Sequence, residues 1–200
     1  MSSLRKKTAE LLIQSSKNLA QFVPMTAFEF WQRNDFRLFI DFSQLSRSEQ
    51  DRIFNELEVS LLGFIDLYLT YITTIIQPEY KKTITIIQKE FTNSFLELLS
   101  KNGVEEKYIQ LWQSLIDMRL KEYWEDYKVG LKETSSWDEF KNDRVMRITW
   151  ARIETITIVC LTHIRRGKVE KNDPLWKLLR QWLIKFNADL MPLENLVISS

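Results

Sequence analysis

Apolar residues recur along most of the chain at steps of three and four, the period of an α-helix with one face turned away from water. From Ser3 to Phe22, Leu4, Leu11, Leu12, Leu19 and Phe22 share one side, and Pro24 is expected to stop the segment. Ser46-Arg-Ser-Glu49 has the form of a capping box, in which the Ser hydroxyl and the Glu carboxylate satisfy the free N–H groups of a helix start. The helix it opens is expected to run to Gln77, where Pro78 breaks it. It carries two apolar stripes, Ile53 to Ile75 and Phe54 to Ile76, so from Val59 onward it is apolar nearly all round. Such a helix is central in a bundle or lies in a membrane. Asp66 at its middle would cost about 2.5–3.5 kcal/mol in a bilayer, and no flanking Lys or Arg cluster orients it, which favours the buried helix over a membrane span.

Three more patterned segments follow. Glu79 to Asn102 carries Ile84, Ile87, Phe91, Phe95, Leu98 and Leu99, with Gly103 as its cap. Ile109, Trp112, Ile116, Leu120, Trp124, Tyr127 and Leu131 make the clearest stripe in the protein. Ser136-Trp-Asp-Glu139 is read as a second capping box, opening a segment that ends at Arg166 and Gly167. Asp173-Pro174 then starts the last helix, with Leu175, Leu178, Leu179, Trp182, Phe186 and Leu190 as its apolar face. The runs Thr73-Thr-Ile-Ile, Thr83-Ile-Thr-Ile-Ile and Thr155-Ile-Thr-Ile-Val favour strands by propensity. Each lies inside a longer helical period and has no turn beside it, so helix is preferred. Residues 25–45 show no clear face and are read as a short helix plus an irregular aromatic linker. The expectation is an all-α fold: one domain over residues 1–200, an elongated up-and-down bundle of about six mostly long helices.

Composition sharpens this. Four Gly and four Pro in 200 residues leave few turns, which argues against β-hairpins and also against the glycine loops that cradle phosphates. No GxSxG, Walker A or GxGxxG pattern occurs. Cys160 and His163 are the only Cys and the only His, so one chain cannot build a disulfide framework, a CxxC motif or an HExxH site. No cofactor is expected. The N-terminal stretch has no unbroken apolar run, and a cytoplasmic location is the default expectation.

Charge is nearly balanced at +1 overall but unevenly spread: −1 over residues 1–66, −3 over 67–140 and +5 over 141–200. In the basic last third, Arg165, Arg166, Lys168 and Lys171 surround the Gly167 turn, with Lys177 and Arg180 on the following helix. They could contact the phosphates of a nucleic acid, or simply decorate a helix end where cations favour the macrodipole. Cys160 and His163 are three apart on one helix, which is half of a metal site that a twofold dimer could complete; the plainer reading is a small apolar Cys among isoleucines. Asp117, Glu122, Glu125 and Asp126 read as a solvated helix face. Phe28, Phe30, Trp31, Phe36, Phe39 and Phe42 form the candidate partner-binding patch, with a lid closing the end of the bundle as the alternative. The function expected is therefore non-enzymatic: a helical protein that associates with a protein partner or with itself. A nucleic-acid-associated subunit and a bundle with an internal apolar ligand pocket are the alternatives.

Overall fold

The computed structural model describes residues 2–135 and 142–198, with side chains over 13–135 and 142–191. Among them the fold is all-α, with seven helices and no strand: α1 (Ser2–Trp31), α2 (Asn34–Phe39), α3 (Arg47–Ile75), α4 (Pro78–Lys101), α5 (Glu106–Thr134), α6 (Arg144–Ile164) and α7 (Pro174–Ile198), with a 3-10 turn at Phe42–Gln44. The helical bundle expected from the periodicity is present, with one helix more than six because α2 is a separate short element. The β-branched runs are helical, and their hydroxyls turn back onto the helix: Thr157 donates to the Ile153 carbonyl at 2.7 Å and Thr74 to that of Tyr71 at 2.8 Å.

Local capping chemistry explains most boundaries. The Glu49 N–H donates to the Ser46 hydroxyl at 3.3 Å, but the Glu49 carboxylate leaves the box and takes Arg52 and Arg166 instead. Asp173 accepts from the Leu175 N–H at 2.9 Å, with Pro174 at the first helical position as expected. Pro78 plays the same part, opening α4 two residues after α3 closes. Two boundaries differ from expectation. Pro24 lies inside α1 and does not end it, because Val23, Ala27 and Phe30 continue the buried stripe beyond it. The packing of that stripe outweighs the single N–H that proline lacks. Helix α6 opens at Arg144, where Asp143 accepts from the Met146 N–H at 2.9 Å; the expected Ser136–Glu139 box lies outside the described residues.

Helix α3 is the hub, packed against α1, α4, α5 and α6, while α6 also packs on α7. From Glu56 to Ile65 every residue of α3 is buried, which accounts for its two apolar stripes. By length and composition it is the one described helix that could cross a membrane, and 72% of its most apolar window is buried inside the bundle. Asp66 is held within it: its carboxylate accepts from Gln88 Nε2 at 2.7 Å and from Trp124 Nε1 at 3.0 Å. Close approach of α5 depends on Gly63, since a Cβ there would sit 2.2 Å from the Tyr123 ring.

Candidate functional site

Helix α5 turns one of its charges inward. Arg119, only 9% exposed, reaches into the seam against α3 and donates from Nη2 and Nε to the two carboxylate oxygens of Glu56, at 2.8 and 3.1 Å. This is the bidentate geometry that lets a guanidinium leave water. Burial works against the Arg119 charge, yet Glu56 more than offsets it, and the group stays protonated above its ordinary range. Its Nη1 also donates to Glu122 at 3.3 Å, and Glu122 accepts from His163 Nε2 at 2.9 Å.

One residue on, Tyr123 is fully enclosed, with its hydroxyl 3.2 Å from Ser60 Oγ. Ser60 already donates to the Glu56 carbonyl at 2.7 Å, so the tyrosine is the donor of that pair. Burial raises the Tyr123 pKa well above its usual value and pushes the Cys160 thiol up to about 12. At neutral pH that thiol is protonated and is no nucleophile. Cys160 is buried beside Ser60, while the His163 ring meets Glu122. Among the described residues no group of three or more His, Cys, Asp or Glu is placed to hold a metal. The seam is a closed network of satisfied partners that fixes the register of three helices.

The six basic residues of the last third do not act together. Arg165 is committed to Asp173 at 2.7 Å and to the Phe39 carbonyl at 3.0 Å. Arg166 pairs with Glu49. Arg180 pairs with Glu154 and lies between the rings of Trp150 and Trp176, 4.6 and 5.1 Å from their centroids. Lys168, Lys171 and Lys177 remain exposed.

The aromatic segment, for which a partner-binding patch and a lid were the two expectations, is largely internal. Phe30 and Phe36 are core residues, stacked or tilted on Trp182 and on each other at 4.3 and 4.7 Å. Trp31 packs edge-on against Phe42 and Phe54, while Phe39 and Phe42 are partly buried. Of the named six only Phe28 is exposed, and beyond them Met25 and Leu38 are exposed as well. Because α1 continues past Pro24, the face carrying Phe30 is directed into the bundle.

Exposed apolar surface lies instead on the outer side of α5. Leu111 is 64% exposed and Met118 54%, with Tyr108 beside them and Leu115 half-buried. Tyr108, Leu111, Trp112 and Leu115 line a shallow hollow of about 290 Å³ with Val104 and Asn55. The signal was present in the spacing 108, 111, 115 and 118, which forms a second stripe beside the one from Ile109 to Leu131. No protein-family model, curated protein or solved structure matches the chain.

Proposed function

We propose that this protein is a non-enzymatic assembly protein that pairs with a second copy of itself through the outer face of α5. The observation that carries this reading is the run Tyr108, Leu111, Leu115 and Met118, apolar at helical spacing and turned to water. An antiparallel pairing about a twofold axis sets Leu111 of one copy over Met118 of the other. The protonated Cys160 thiol and the mutually satisfied seam favour association over catalysis.

Sedimentation velocity over a range of concentrations tests the reading. The wild-type chain is expected to dimerise, and Leu111→Glu with Met118→Glu to stay monomeric with an unchanged helical circular dichroism spectrum. A wild-type chain that remains monomeric throughout would overturn it. Of the six basic residues grouped above, Lys168, Lys171 and Lys177 are left to the nucleic-acid reading without an acid partner among the described residues, and no retention on heparin at low salt is the expected result.

A further inference from the structure

The gap between α1 and α7 lies away from the α5 face and is bridged by rings. The two helices run antiparallel with little direct backbone approach, and Phe30 stacks on Trp182 at 4.3 Å and Phe22 on Phe186 at 5.5 Å to span the space between them. Over these two rungs lies a hollow of about 310 Å³, with Thr26, Glu29, Arg33, Gln181, Lys185 and Asp189 around it. Trp182 is the one Trp of the described core, 6% exposed. Its indole N–H has no acceptor among the described residues and is not itself enclosed, so the small part of Trp182 that reaches the hollow carries an unused donor. The Trp124 N–H, by contrast, is taken by Asp66.

That donor and the rim around it define the ligand. Rings stacked face to face present their edges to the hollow, and a ring edge, the positive part of the aromatic quadrupole, attracts the face of another ring or a carbonyl oxygen. Charge on the rim is balanced. Lys185 stands one turn from Trp182, Glu29 adjoins Phe30, Asp189 lies a further turn along α7, and Arg33 is held over the Phe30 ring and engaged by Asp35 at 2.6 Å. An anion on the indole N–H would gain Lys185 but meet Glu29 and Asp189, and an ammonium has no lone pair with which to accept. A carboxamide suits both sides: its carbonyl accepts from Trp182, and its N–H groups give to Glu29 or to the Thr26 hydroxyl, which has no partner among the described residues. We infer that this hollow binds a small neutral aromatic carboxamide through the indole N–H of Trp182. The inference is independent of the pairing through α5.

Benzamide, benzoate and benzylammonium are the probes, titrated into the isotope-labelled full chain and read by the indole N–H cross-peaks in nuclear magnetic resonance spectra. Trp182→Phe, which keeps a ring on Phe30, identifies the Trp182 peak by its loss. Benzamide is expected to move that peak downfield saturably, with a Kd of about 1 mM, and the two charged probes at equal concentration to leave it in place. Thr26→Phe, at a half-buried wall position, should fill the hollow and abolish the shift, and Gln181→Trp, at an exposed position on the rim, should cover it from outside. Leu111→Glu should leave the titration intact. Absence of a saturable shift with benzamide, or a shift that survives both filling variants, would overturn the site. An equal response to benzoate would overturn the neutral head group, and an equal response to benzylammonium the carbonyl acceptor.

Discussion

Helices α3 and α5 are both 29 residues long and share a seam, yet they meet water in opposite senses. Helix α3 buries an almost unbroken apolar run on several neighbours. The residues that α5 buries are Ile116, Arg119, Tyr123, Tyr127 and Thr134, four of which carry a polar group. Helix α3 is therefore placed by non-directional burial, and α5 by directional pairs that tolerate only one register. Beside that seam α5 turns Leu111 and Met118 outward among its exposed charges, and this is the surface that the proposed pairing uses.

The sharpest way to break this contrast is to remove one half of a buried pair. Arg119→Ala leaves Glu56 enclosed without its cation and should cost about 3–5 kcal/mol in urea unfolding, whereas Glu56→Leu with Arg119→Met should recover most of the loss. A neutral Arg119→Ala would show that α5 is not held by the pair.

Glu58 is the exception on the other side, a carboxyl 4% exposed in the apolar helix, with its pKa raised by burial from 4.5 to about 8. Unfolded chains release this proton near pH 4.5 and the folded chain retains it, so the unfolded state binds fewer protons and stability falls as pH rises through this window. At pH 7 the cost is about 3 kcal/mol. Glu58→Gln should recover much of it and flatten the pH profile of unfolding between pH 5 and 8; a profile as steep as wild type would exclude Glu58 as the cause.

Gly63→Ala tests the contact between the two helices. Its Cβ meets the Tyr123 ring, and a loss of about 1–3 kcal/mol is expected, partly relieved in a Tyr123→Leu background. Denaturation of the four members of that double-mutant cycle would measure the coupling, and strict additivity would contradict it. Smallest of all is Leu111→Glu, which should change monomer stability by less than about 0.5 kcal/mol while weakening self-association. If it unfolds the chain, the outer face of α5 is part of the core.

Caps were legible in the sequence because their chemistry is local: Ser46, and Asp173 followed by Pro174, act within two or three residues of themselves. Pro24 misled because the stripe that carries α1 past it gains its energy from other helices, which a local window does not contain. Whether the Phe28 to Phe42 segment packs or stands free was illegible for the same reason, since Phe30 finds Trp182 more than 150 residues away. The inward face of α5 was hidden more deeply. Period counting assigns charged residues to water, so Arg119 and Glu56 could not mark a seam, and the Tyr108 to Met118 stripe was passed over beside a stronger one. Of the six basic positions the sequence grouped, three are spent on acids that lie 8, 26 and 117 residues away.

Arg52 donates to the carbonyls of His163 and Ile164, closing the end of α6 across 111 and 112 residues of chain. During synthesis, the side of α3 that receives α6 has no cover until more than seventy further residues have been made. A ribosome pausing between α5 and α6 would thus hold a chain with the α6-facing side of α3 bare, the kind of surface that chaperones engage.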